Sequence, residues 1–262
     1  MCLLIVLSRM APDAPLVVAA NRDERFDRPA VAATVLVPSG PRVLGGRDEL
    51  AGGTWLAVNE HGVVAGLTNR PSPTGRDPSK RSRGELPLAL TRHENAKDAV
   101  EDFAEHVHAD DYNSAWLLVG DRRSLYYLQV GGAGAPEVEM LDPGLYVLAN
   151  DPLHGSSPKA GHVRDQIAGI ADLGHAEQLR LLRSVLANHS VPPAVPTSAR
   201  KSERPIELAA ACVHTDGYGT RSAALVSVPA EGFPHMWVTD GSPCGSPFIQ
   251  VDELWSTSAQ CQ

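Results

Sequence analysis

Apolar residues in the first part of the chain fall in short runs separated by turn residues. The runs at 3–7 and 16–20 are unbroken by polar positions and too short for helices, so both read as buried strands. Pro12-Asp13 marks the turn between them. Residues 31–37 and 42–44 read as short strands around Ser39-Gly40-Pro41. Residues 54–58 and 63–67 flank Asn59-Glu60-His61-Gly62, the pattern of a hairpin with a glycine-containing loop. The stretch 70–83, rich in Pro, Ser and charge, reads as loop. The period then changes. Residues 84–92 and 94–107 read as helices, with Ala96, Val100, Phe103, Ala104 and Val107 at helical spacing. Strands return at 114–119, 124–130 and 145–149, helices at 162–170 and 176–187, and strands again at 220–228, 235–238 and 248–251. The Pro/Ser/Lys/Arg stretch 192–204 reads as an internal loop, because the strands beyond it have no helices of their own to pack on. One domain spanning 1–262 is therefore expected. Strands in runs with helices in pairs predict an α+β fold of packed sheets under helical layers, and a four-layer αββα sandwich fits.

Composition narrows the function. With 43% hydrophobic and 21% charged residues, the chain has the balance of a folded globular protein. The net charge of −8 lacks the basic footprint of a nucleic-acid binder. The N-terminal apolar run is too short to span a bilayer and has no basic stretch before it, and no later run is long enough to cross one. A cytosolic location is expected. The four cysteines, Cys2, Cys212, Cys244 and Cys261, form no CxxC pair, so free thiols, no metal site and no cofactor are expected. His106 and His108 lie two apart at a helix end beside Asp110-Asp111 and read as surface charge. Gly45-Gly46 and Gly52-Gly53 read as turns, since no helix signal follows either.

Cys2 stands apart. Methionine aminopeptidase removes Met1 when the next side chain is small, which leaves a chain that begins with cysteine. Its α-amine has a reference pKa of about 7.7–8.0, so part of it is neutral near physiological pH and can accept the thiol proton. One residue then supplies both nucleophile and base. The strand that starts at residue 3 ties this terminus down. Asn21-Arg22-Asp23-Glu24 follows the second strand and puts a carboxylate and a guanidinium where they can hold an amine and a carbonyl or carboxylate oxygen. By itself that segment reads as a solvated, charged turn at a strand end.

Met-Cys at the start and Asn21-Arg22-Asp23-Glu24 resemble the NRDE family, also called the transport and Golgi organisation protein 2 family. Further matches follow in order: Gly45-Gly46-Arg47-Asp48, Gly53-Thr54-Trp55-Leu56-Ala57-Val58-Asn59, Leu67-Thr68-Asn69-Arg70, Arg81-Ser82-Arg83-Gly84, Asn150-Asp151 and Tyr218-Gly219-Thr220-Arg221. The resemblance implies an N-terminal-nucleophile hydrolase type of αββα fold. The segment from Asn59 to Asn69 also looks like part of the penicillin V acylase and bile salt hydrolase group, which cleaves amides with an N-terminal cysteine. That likeness implies Asp23 as the residue that orients the amine, Asn69 and Asn150 as the oxyanion hole, and Arg221 as a further site residue. Asn21, Arg22 and Trp55 are the expected substrate-binding residues. Two departures stand out. The group's arginine three residues before the aspartate is Ala20 here, with Arg22 on the same strand face as its replacement. Thr68 is inserted before Asn69, so either of the two can line the hole.

Two functions follow. One is a cysteine amide or thioester hydrolase, or acyltransferase, acting on a small N-acyl or acyl-thioester substrate. The other is a non-catalytic haem or acyl-lipid carrier on the same fold, with His61, His154 and His214 as candidate iron ligands.

Overall fold

The computed structural model describes residues 3–72, 75–132, 134–193 and 205–256. Cys2 and most of the 192–204 loop lie outside the described residues. The elements run β1 (Leu3–Ser8), β2 (Leu16–Arg25), β3 (Ala30–Val37), β4 (Val43–Asp48), β5 (Leu56–Asn59), β6 (Val64–Asn69), α1 (Glu85–Leu90), α2 (Ala96–His106), β7 (Ala115–Gly120), β8 (Leu125–Val130), β9 (Glu137–Leu141), β10 (Gly144–Leu148), α3 (Pro158–Gln166), α4 (His175–Leu186), β11 (Tyr218–Val228), β12 (His235–Val238) and β13 (Ile249–Gln250). Two antiparallel sheets form. One has the order β10-β1-β2-β11-β12-β13, the other β3-β4-β5-β6-β7-β8-β9.

Strand alternation sorts the side chains into three cores. Leu4, Val6, Val18 and Ala20 of the first sheet meet Leu56, Val58, Val64 and Trp116 of the second between the sheets. Leu3, Ile5, Val17 and Ala19 point the other way, onto Val163 of α3 and Leu182 of α4. Val63, Ala65 and Leu67 pack outward on Leu86 and Leu90 of α1 and Phe103 of α2. This is the αββα sandwich. Both sheets are buried on two faces, which is why their central strands read as unbroken apolar runs.

Four local expectations change. β2 does not stop at residue 20 but runs to Arg25, because Asn21, Arg22, Asp23, Glu24 and Arg25 all find partners on β11. Gly45 and Gly46 lie inside β4 rather than in a turn. A Cβ on Gly46 would collide with the Trp55 ring, so the glycine lets that ring lie flat on the strand. Gly52 does turn, at φ +73°. β9 has no counterpart among the predicted strands, and α3 starts four residues earlier than the expected helix at 162.

Candidate active site

β1 and β2 are antiparallel neighbours, with Leu3 opposite Asn21. Cys2 is bonded to Leu3, and β2 continues past Asn21 as Arg22 and Asp23. β11 lies on the other side of β2, and its register shifts between Thr220 and Ser222. Thr220 therefore faces Asp23, and Arg221 is the extra residue of a bulge.

Asp23 is buried. Its Oδ1 accepts a 2.6 Å hydrogen bond from the Thr220 hydroxyl. Its Oδ2 accepts from Lys159 Nζ at 3.3 Å, and the Lys159 side chain is only 6% exposed. Lys159 is the second residue of α3, after the Ser157 cap and Pro158. A lysine at a helix N-terminus opposes the helix dipole, and the buried carboxylate opposite it offsets that cost. Sequence reasoning missed Lys159 because it started this helix at residue 162. The available signal was Ser157-Pro158, a cap followed by proline at the first helical position.

Arg22 alternates to the inter-sheet face and is also buried. Its guanidinium lies over the Trp55 ring at 4.5 Å, and Nη2 donates to Asp48 Oδ2 at 3.0 Å. Arg28 Nε donates to the same oxygen at 2.7 Å. Asp48 Oδ1 meanwhile accepts the Leu50 and Ala51 N–H groups. Burial pushes the Asp48 carboxyl up, but the Arg28 hydrogen bond, the Ala51 N–H and the charges of Arg28 and Arg22 together hold it below its ordinary value. Arg22 Nη1 is buried without a hydrogen-bond partner.

The remaining candidates divide by face. Thr68 is fully buried, and its hydroxyl has no partner. Asn69, one residue on, is exposed. Asn150 Nδ2 donates to the Asn69 carbonyl at 2.6 Å, and Asn150 Oδ1 is a further buried orphan. Two cavities adjoin at Asn69. One, of about 270 Å³, includes Asp23, Trp55 and the arginines 22, 28, 76 and 83 in its wall. The other, of about 380 Å³, is mainly apolar, with Asn150, Pro71, Pro205 and Leu208 in its wall.

Two expected site residues line neither of these cavities. Asn21 is fully buried, and its amide donates at 2.8 Å to both the Leu186 and Ala211 carbonyls. It ties β2 to the end of α4 and lines neither cavity. The Arg221 guanidinium donates to the Arg25 and Phe26 carbonyls and borders a separate small cavity with Arg22 and Trp55. Asn59 is likewise internal support, with its amide on the Thr91 and His93 carbonyls. The three histidines considered as iron ligands do not group together. His154 bonds Glu139, and His214 sits beside His189. The one group of potential metal ligands among the described residues contains neither His61 nor His154.

A family model for Transport and Golgi organisation 2 matches residues 1–240. The chain belongs to this family. It is 32% identical over 250 residues to the Transport and Golgi organization protein 2 homolog of Bos taurus, a match that covers 88% of this chain and 87% of the relative. The human homolog is 30% identical, over 87% of this chain and 86% of that protein. Among solved structures, a mutant of the conjugated bile acid hydrolase from Clostridium perfringens superposes with a TM-score of 0.55 at 11% identity, covering 96% of this chain and 97% of that one. An N-acylethanolamine-hydrolyzing acid amidase ortholog from Caenorhabditis elegans gives 0.54 at 13% identity, over 88% and 94%. At these identities the likeness shows a shared fold, and it places this member of the family in the N-terminal-nucleophile hydrolase architecture. No helix among the described residues is long and apolar enough to cross a membrane.

Proposed function

We propose that the protein is a cysteine-dependent amide or thioester hydrolase, or acyltransferase, with Cys2 as nucleophile once Met1 is removed, working as one domain. The observation that carries this reading is the buried Asp23–Thr220–Lys159 cluster. It lies two residues beyond the partner of Leu3, the residue bonded to Cys2. A carboxylate fixed there is suited to hold a terminal ammonium in place. The bile acid hydrolase and acid amidase named above share the fold and, by name, hydrolyse bile acid conjugates and N-acylethanolamines, which supports amide chemistry here.

The neutral α-amine takes the thiol proton, and the thiolate attacks the substrate carbonyl. Charge develops on the carbonyl oxygen. A primary amide has two N–H groups. One of those on Asn150 Nδ2 goes to the Asn69 carbonyl, and the other is open to this oxyanion. The Thr68 hydroxyl is a second candidate donor, and Asn69 borders both cavities. Loss of one such donor typically costs about 100- to 1000-fold in rate. The ammonium then protonates the leaving nitrogen or sulfur. The freed amine next activates water, or an acceptor nucleophile, to release the acyl group. The apolar cavity beside Asn150 suits an acyl chain, and the arginine-rich one suits an anionic leaving portion.

Intact mass of the purified protein, before and after an acylating probe, tests this. The expected result is a chain without Met1 that gains one adduct, lost in Cys2→Ala. A retained Met1, or labelling that ignores the Cys2 substitution, overturns the enzyme reading.

A further inference from the structure

His189, Cys212, His214 and Cys244 come from three separate parts of the chain. His189 follows α4, Cys212 and His214 lie just before β11, and Cys244 is in the loop between β12 and β13. Their potential ligand atoms all lie within 4.8 Å of one another. We propose that these four residues form a tetrahedral site of two cysteines and two histidines for one Zn²⁺ ion.

The geometry around the cluster is that of a prepared site. His189 Nδ1 lies 3.0 Å from the Cys212 carbonyl oxygen. A carbonyl oxygen only accepts, so Nδ1 carries the proton and Nε2 keeps a free lone pair, the arrangement of a metal-ligating histidine with its outer-shell partner. The Cys212 N–H donates back to the Asn188 carbonyl at 2.8 Å, which locks the two segments side by side. Cys244 Sγ is 3.5 Å from His214 Nε2. Zinc bonds of about 2.3 Å to sulfur and 2.0–2.1 Å to nitrogen give a tetrahedral edge of about 3.6 Å, so this pair is already at ligand spacing. The His189 and His214 rings meet edge to face with centroids 4.8 Å apart. The Cys244 loop is anchored independently, through Ser242 Oγ on the Thr220 carbonyl and the Gly245 and Ser246 N–H groups on the Ser242 carbonyl.

The donor set selects the ion. Two thiolates and two imidazoles suit zinc, whereas calcium and magnesium require oxygen ligands. The absence of a CxxC pair hid the site from sequence reasoning, which expected no metal. The remaining signal was Cys212-x-His214. Binding exchanges two protons for the ion: two thiols and Zn²⁺ give a zinc dithiolate and two H⁺. The ion would join the end of α4, the entry to β11 and the β12–β13 loop around Thr220, whose hydroxyl holds Asp23.

The test uses the full chain, reduced and stripped with a chelator, and titrated with Zn²⁺ against a chromogenic chelator. The expected result is one zinc per chain and a rise in Tm on zinc addition. Co²⁺ in its place should show tetrahedral ligand-field bands with thiolate charge transfer. Cys244→Ser changes an exposed residue, so folding is not at stake. It should weaken binding by more than about 100-fold, the upper range for losing only an outer-shell partner, and should abolish the Tm rise. His214→Gln should do the same. Cys2→Ala should bind zinc as the wild type does, which separates this site from the proposed nucleophile. Octahedral Co²⁺, binding indifferent to Cys244, or a Cys212–Cys244 disulfide whose reduction restores no zinc uptake would each overturn the site.

Discussion

The residues that define the candidate site are buried charges, and each has its counter-charge from a distant part of the chain. Lys159 and Asp23 are 136 positions apart and both are nearly inaccessible. Removing one member of such a pair leaves the other desolvated without its partner, which costs about 3–5 kcal/mol. Lys159→Met is expected at the lower end of that range, because Thr220 still donates to Asp23. The double variant Lys159→Met/Asp23→Asn should be less destabilised than the sum of the singles. Urea denaturation of the three variants measures the coupling, and strict additivity would show that the pair contributes nothing. Asp48 allows a pH experiment. Its folded-state pKa is depressed, so its contribution is complete above the unfolded carboxylate value of about 4 and is lost as pH falls through the lower folded value. Wild type should therefore exceed Asp48→Asn in urea midpoint at neutral pH, and the gap should close below about pH 4. A gap that stays constant through that window would remove Asp48 as the charge that holds Arg22 and Arg28.

Elements explain how these side chains come to their places. Trp55 supports the Arg22 guanidinium only because Gly46 leaves room for the ring against β4. Gly46→Ala is expected to displace Trp55 and destabilise the fold by about 1–3 kcal/mol, as overpacking does. A changed tryptophan fluorescence spectrum alongside the lowered urea midpoint would check it. α3 gives a second case. The Ser157 hydroxyl accepts the Ala160 N–H and starts the helix that carries Lys159, so Ser157→Ala should cost about 1 kcal/mol. The double variant with Lys159→Met tests whether the cap and the ion pair act together. The same elements show what was legible in the sequence. β1, the start of β2 and the β5–β6 hairpin are apolar runs buried on two faces, and their positions were plain. The end of β2 was not, because charged residues that pair with a strand far along the chain look like a turn from sequence. β9 is an edge strand exposed at every position but Leu141, so it lacks the apolar signal of its neighbours. α3 was misplaced because its buried face includes a lysine. Asp23, Arg22 and Asn150 became candidates through motif likeness. Lys159 and Thr220 depend on which elements pack together, which sequence position does not reveal.

At the scale of the whole molecule, charge is distributed against its own average. The chain carries a net −8, yet the cavity beside Asp23 has Arg22, Arg28, Arg76, Arg81 and Arg83 in its wall against Asp23, Glu24 and Asp48. Two of these arginines are committed to Asp48 and Arg81 to Glu85. Arg76 has no hydrogen bond or ion pair among the described residues. A concave, cation-lined site in an acidic molecule repels anions everywhere except at its mouth, and such focusing raises encounter rates with anions by about 10- to 1000-fold. If the acyl substrate carries its negative charge in the leaving portion, an anionic acyl-thioester should label the protein faster than a neutral one of equal reactivity. The advantage should shrink roughly tenfold between low salt and 1 M salt, where the screening length falls to about 3 Å. Arg76→Glu should erase the advantage at low salt while leaving the neutral probe's rate unchanged, since Arg76 neither packs on Asp23 nor holds Asp48. Equal salt dependence for the two probes would mean that the arginines serve the fold, through Asp48 and Trp55, and not substrate capture. The sandwich supplies rigidity from cores on three levels, and in the walls of the two cavities that adjoin at Asn69 it leaves Arg22 Nη1 and Asn150 Oδ1 buried without partners. Desolvated groups of that kind cost stability in the empty protein, so a ligand that satisfies them together should also raise Tm, which gives the salt experiment an equilibrium counterpart on the same probes.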